Sequence, residues 1–300
     1  MPRSIGVALP QFGDRGPAAV EIHAFARRAE EAGFDAVWVM EALFTTAAAY
    51  DPLLLLSFAA GVTERIGLGV ATIVVPRRHP LLLAKEVATL DHLSGGRLAV
   101  TLSVGDTEEV RPFGIAPEER GDRLEEALAA MRALWTHGEV DAEGRFFSFR
   151  GATMEPKPLQ QPLPIWLGGR TTRALRRAAR LADGWIGAGL TPVQTYRELL
   201  DRMRELLAEA GRDQASFALG KRAYVAIERP QAAVESWFQD VYGDATLAAG
   251  RVIWGDADAC TEQLLELQRL GAEVLLLSPV GADREQLELL AEGVLPHLRG

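Results

Sequence analysis

The chain has 300 residues, of which 48% are hydrophobic, a net charge of −9 and one cysteine. That length suits one large α/β unit or two small ones, and the acidic balance gives no electrostatic support to a nucleic-acid or anionic-membrane partner. Cys260 alone excludes an internal disulfide and a cysteine-based metal cluster within one chain.

Taken in chain order, apolar runs of strand length alternate with helical patterns. Ile5–Leu9 reads as a first strand, and Ala18–Ala32 as a helix set between Pro17 and Gly33. Ala36–Met40 and Ile66–Val75 are the next strands, the latter ended by Pro76. Pro80 opens a helix where its missing N–H costs nothing, with Leu82, Leu83, Val87, Leu90 and Leu93 at helical spacing and Gly95-Gly96 as the stop. Strands follow at Leu98–Val104, Ile165–Gly168, Gly184–Ala188, Phe217–Ile227 and Val274–Ser278. Helical patterns occupy Pro117–Trp135, Thr171–Leu181, Pro192–Ala210, Ala259–Leu270 and Arg284–Leu295.

Eight short strands with intervening helices predict a (β/α)8 TIM barrel over residues 1–300, with its active site at the C-terminal ends of the strands. An open doubly wound sheet would usually carry a phosphate fingerprint after its first strand, and LPQFGDRG is not one. The segment 136–164, after the fourth helix, breaks the alternation with two turn signals, the aromatic run Phe146–Phe149 and four prolines. It is either a functional excursion or lid, or a hairpin packed on the outer helices. No apolar run approaches the about 20 residues of a bilayer span, and MPRSIGVALP lacks a signal-peptide pattern. A soluble cytoplasmic protein is expected.

Candidate chemistry lies at strand ends. Glu41 closes the second strand and is either a tunable acid–base group or the partner of an arginine at the barrel mouth. Ser103 and Gly105 end the fourth strand and would face into the mouth. In WLGGRTTR, Gly168-Gly169 end the fifth strand and Thr171-Thr172 begin a helix, with Arg170 and Arg173 beside them. Free N–H groups and the dipole there offer a phosphate seat; the bland alternative is a glycine turn with a threonine cap. Trp185 belongs to the core or lines the pocket. The five histidines have no paired metal-ligand spacing, and neither a GxSxG elbow nor a P-loop is present, so no metal site is expected.

Several runs in order resemble the luciferase-like superfamily of flavin- and deazaflavin-dependent oxidoreductases. They are SIGVALPQ, FDAVWVME, Gly69, Pro76 with His79-Pro80, LDHLSGGR, PFG at 112–114, RGDRLEEAL, PKPLQQPLPIWLGG and ADGW. The resemblance implies a non-proline cis peptide and a bulge at Ala71-Thr72, pressing the backbone against a flavin ring, and a cofactor phosphate at 168–173. It also implies an insertion bordering the active site, a flavin pocket near Trp185, and a homodimer. Two departures matter: Ala42 stands where the family often has histidine after the acid, and Val104 where the luciferase-type branch has an arginine. The expected reaction is hydride transfer between deazaflavin coenzyme F-420 and a small organic substrate. The alternatives are a reduced-FMN-dependent monooxygenase, a non-catalytic flavin-binding homologue, and a barrel enzyme acting on sugar phosphates.

Overall fold

The computed structural model describes residues 4–13 and 15–299. Eight parallel strands form the barrel: β1 Ser4–Ala8, β2 Ala36–Val39, β3 Gly67–Val74, β4 Leu98–Ser103, β5 Ile165–Gly168, β6 Gly184–Gly187, β7 Ala218–Ile227 and β8 Val274–Pro279. They pair in the order β6-β5-β4-β3-β2-β1-β8-β7, and a β6–β7 ladder closes the ring. The outer ring comprises α1 Ala19–Ala32, α2 Pro52–Val62, α3 Pro80–Leu93, α4 Arg120–Thr136, α5 Thr172–Leu181, α6 Val193–Glu209, α7 Gln231–Tyr242, α8 Ala257–Leu270 and α9 Arg284–Leu289. The chain is therefore a (β/α)8 TIM barrel, as its alternating pattern predicts.

The inside of the barrel is filled by few, large side chains. Trp38 and Trp166 stack with centroids 6.1 Å apart and an interplanar angle of 30°. A Cβ at Gly6 or Gly69 would come within 2.2 Å of Trp38, so these glycines make room for the indole. Outside the strands, alternate residues such as Val37, Leu68, Val100 and Leu275 pack under the helices. In LDHLSGGR the polar residues hold the closed end of the barrel. Buried Asp91 accepts hydrogen bonds from the Gln160 backbone and side chain, while Arg97 donates to the carbonyls of Ile66 (2.7 Å) and Ser94 (2.6 Å).

Three elements differ from the expected pattern. DPLLLLSFAAGV forms α2, capped by Asp51 Oδ1, which accepts from the N–H of Leu53 and Leu54. Its continuous apolar run hides the helical period. The stretch after β7 holds α7 and a strand, Val252–Gly255, that pairs with β7 outside the ring. The segment 136–164 forms a hairpin, Val140–Glu143 with Ser148–Ala152. The Glu126 carboxylate on α4 accepts from the backbone N–H of Phe146 and Phe147, Arg123 lies over Phe146 (4.4 Å), and His79 meets Phe147 edge-on. The hairpin thus packs on α3 and α4, and no residue of 136–164 lines the cleft at the mouth. No described helix is long and apolar enough to cross a membrane.

Candidate active site

A cleft of about 380 Å³ opens at the C-terminal ends of the strands, within the usual range for a small-molecule site. Its walls include Glu41, Ala71, Thr72, Ser103, Gly105, Gly168, Gly169 and Arg170, residues far apart in sequence that the barrel brings together. β3 supplies the floor. The Ala71–Thr72 peptide is cis, and the ladder to β4 shifts register between Ala71 and Ile73. Thr72 Oγ1 donates to Ser103 Oγ at 2.7 Å, tying the ends of the two strands together.

Glu41 holds this bulge from the neighbouring strand. Its backbone N–H donates to Thr72 O (3.4 Å), and its carboxylate accepts from the Val74 N–H (2.5 Å). The same carboxylate pairs with Arg77 (3.0 Å) and Arg78 (2.8 Å), and its side chain is only 8% exposed. A bulge leaves ladder groups unpaired, and Glu41 takes over one of those donors. Both of its oxygens are engaged, so the arginine partnership describes its surroundings.

The next carboxylate along the wall has more freedom. Asp106 and Glu109 form a capping box at the short helix Thr107–Val110, Glu109 Oε2 accepting the Asp106 N–H at 2.9 Å. Burial pushes the Glu109 carboxyl above its ordinary value, against the lowering effect of the Asp106 N–H and of Arg77. Glu109 lines the cleft.

At the other side, Gly168 and Gly169 end β5 and carry no side chain into the opening. A Cβ on Gly168 would approach Thr72 Cγ2 to 2.9 Å, and Gly169 has φ +142°. Thr171 caps α5 by accepting the Ala174 N–H at 3.2 Å. The N–H groups of Thr172 and Arg173 in the first turn have no partner inside the helix. Thr171 and Thr172 are exposed and do not belong to the cleft wall, which ends at Arg170.

Trp185 does not line the cleft. Along β6, Ile186 points into the barrel and Trp185 outward, where it is fully buried and stacks on Tyr196 with an interplanar angle of 10°. Its Nε1 donates to Gly169 O at 2.9 Å, so it positions the glycine turn from behind. Strand alternation forbids the pocket position implied for it.

Sequence reasoning missed the far wall: Met40, Arg222, Tyr224 and Tyr242. Lys221 and Arg222 are two basic residues in succession within an apolar strand, and that was the available signal. Arg222 points inward; Lys221 points outward and is 3% exposed. Lys221 Nζ donates to the carbonyls of Ala188 and Arg222, both at 2.6 Å, pinning the loop after β6. Burial, with Arg222 adding to it, pushes the Lys221 ammonium down to about 7. Buried Gln11 ties the first two loops together, donating to Met40 O and Tyr50 O and accepting the Met40 N–H. Among the described residues, no group of three His, Cys, Asp or Glu side chains is placed to hold a metal.

The fold and site thus define a closed parallel barrel with an open cleft over a bulged β3 and a glycine turn before a helix. The chain belongs to the luciferase-like monooxygenase family, whose profile matches residues 5–248. It is 40% identical over 166 residues to an uncharacterized protein of Mycobacterium tuberculosis, covering 54% of this chain and 58% of the relative. It is 35% identical over 172 residues to the phthiodiolone/phenolphthiodiolone dimycocerosates ketoreductase of the same organism, covering 56% of this chain and 45% of the relative. These matches span about half the length of the curated relatives. Among solved structures, an F-420-dependent secondary alcohol dehydrogenase in complex with an F-420–acetone adduct superposes over the whole of both chains, with a TM-score of 0.87 at 19% identity. Monooxygenase RslO1 from Streptomyces bottropensis superposes over 98% of this chain and 99% of its own, with a TM-score of 0.80 at 25% identity.

Proposed function

We propose that this barrel is a deazaflavin-dependent oxidoreductase, moving a hydride between coenzyme F-420 and the carbonyl or alcohol carbon of a small organic substrate. The observation that carries the reading is the cleft itself: a floor of backbone at Ala71-Thr72, a glycine edge at Gly168-Gly169, and Arg170 beside the first turn of α5. A flat ring fits a surface without large side chains, and a phosphate fits the free N–H groups of a helix start. Gly168, Gly169 and Arg170 would hold the phosphate end, with the first turn of α5 behind them; Ala71, Thr72, Ser103 and Gly105 would border the ring. When bound, the deazaflavin supplies a hydride-carrying carbon, and the protein supplies position and shielding from water.

Glu109 is the proton donor of this reading. It lines the cleft, one of its oxygens is free of the capping bond, and burial keeps it protonated to higher pH than an ordinary carboxylate. Glu41 serves as the anchor of β3 rather than as the acid. Arg77 pairs with Glu41, whereas among the described residues Glu109 is in no ion pair.

The F-420-dependent structural neighbour and the ketoreductase relative support carbonyl chemistry. The second reading, a reduced-FMN-dependent monooxygenase, has the RslO1 likeness in its favour. Val104 in the cleft wall weighs against it, since it adds no cation for a flavin phosphate. Titrating the protein with F-420 and with FMN, and assaying alcohol-dependent bleaching of F-420, tests the reading. We also propose a homodimer. Leu54 and Phe58 on α2 and Leu82 and Leu93 on α3 are exposed at spacings that share a face, an apolar surface that a second copy would cover.

A further inference from the structure

We infer that Arg222 receives the oxygen of the substrate's reacting carbonyl, and that the substrate is a ketone with an apolar or aromatic body. The inference rests on the carbonyl reading above and adds the recognising group. The cleft narrows into a recess of about 30 Å³ inside the barrel mouth, and Met40, Ala71, Arg222 and Tyr224 border both spaces. Phe12 and Trp237 complete the apolar wall, packed edge to face at 6.1 Å.

Arg222 is the one cation lining this recess. Its Nε donates to Ser278 Oγ (2.9 Å), its Nη2 meets Met40 Sδ (3.1 Å), and its guanidinium lies 4.8 Å from the Tyr224 ring centroid. Among the described residues no carboxylate pairs with it. Arg77 and Arg78, at the same mouth, share the Glu41 carboxylate. A half-buried guanidinium in an aromatic box, with no counter-charge, is costly unless a ligand oxygen completes it. The recess admits only the small end of a molecule, so a carbonyl enters while the body stays in the apolar part of the cleft.

The reaction then balances. The carbonyl carbon accepts a hydride from the reduced deazaflavin, which is thereby oxidised. The C–O π pair moves onto oxygen, where Arg222 faces the growing negative charge. That oxygen takes a proton relayed by one water from Glu109, which lines the adjoining cleft, giving the alcohol.

Two measurements test this. Benzoate, an apolar body with a fixed oxygen charge, is titrated calorimetrically into wild type, Arg222→Met and Arg222→Lys without cofactor. Cyclohexanone reduction by reduced F-420 is followed with the same proteins. Wild type binds benzoate; Arg222→Met weakens binding by about 10- to 100-fold, as loss of a hydrogen bond to a charged group does, and Arg222→Lys recovers part of it. In turnover kcat falls for Arg222→Met and recovers in part with Lys, while F-420 affinity is unchanged. Benzoate binding of equal strength in wild type and Arg222→Met, or none in wild type, overturns the assignment. If Arg222→Met does not fold, Arg222→Lys carries the comparison, and wild-type affinity in the lysine variant overturns it. Failure of wild type to bind F-420 would instead remove the functional reading, whatever benzoate does.

Discussion

Replacing Glu41 separates an anchor from an acid. The carboxylate accepts the Val74 N–H and pairs with Arg77 and Arg78, and the Arg77 side chain is 2% exposed. In Glu41→Ala, Arg77 is left buried without its counter-charge and the Val74 N–H without its acceptor. Breaking a buried pair from one side costs about 3–5 kcal/mol, a large share of the about 5–15 kcal/mol that holds a typical native protein. Glu41→Gln keeps an acceptor for Val74 and loses the charge, so about 1–3 kcal/mol is expected, the scale of one charged hydrogen bond. Urea denaturation followed by circular dichroism reads both, as a shift of midpoint at constant slope. The anchor account expects stability to fall in the order wild type, Gln, Ala, with F-420 affinity falling as the β3 floor loosens. It is refuted if Glu41→Gln keeps wild-type stability and cofactor affinity and loses turnover alone, which is how an acid behaves.

Four other outcomes follow from the geometry. Glu109→Gln lowers turnover by about 10²–10⁴, the usual loss for a general acid, with cofactor affinity intact; in wild type, carbonyl reduction falls as pH rises through the raised Glu109 value, and that limb vanishes in the variant. Gly169→Glu puts a carboxylate at the start of α5 and abolishes cofactor binding without unfolding the barrel, read by fluorescence titration beside a melting curve. Lys221 is protonated in the unfolded chain up to its ordinary 10.5 but in the fold only to about 7. Between those values the unfolded state binds more protons, so stability climbs with pH, and Lys221→Met flattens that climb in denaturation midpoints taken across the window. Phe58→Glu, in the exposed face of α2, yields a monomer by light scattering where wild type gives a dimer.

The barrel strands were legible because strands buried on both faces read as plain apolar runs between turn signals. Ile66–Val75 and Val274–Ser278 are examples, and the structure places β3 and β8 within a residue of those bounds. The glycine turn at 168–169 was legible for a similar reason, since a strand end followed by a threonine cap leaves a clear trace. What failed to show is whatever depends on which way a residue faces. Trp185 and Ile186 are neighbours in sequence, and only the closed ring decides that the indole goes outward. Arg222 lay inside a run that looked like a core strand, so its inward charge passed unread beside Lys221. Glu109 sits in a short helix whose capping box is local, while its burial and the charge of Arg77 beside it come only with the folded barrel. Composition and spacing carry the scaffold; the site is made by contacts between strand ends.

In the proposed function, the mouth of this barrel binds a deazaflavin and passes its hydride to or from carbon. The direct measurement is an anaerobic titration of the protein with oxidised F-420, then addition of a secondary alcohol while the visible absorbance of the cofactor is followed. Saturable binding is expected, with weaker binding of FMN and alcohol-dependent bleaching of F-420 that ceases in Gly169→Glu. A protein that ignores F-420, binds reduced FMN and consumes oxygen with a second substrate would contradict it.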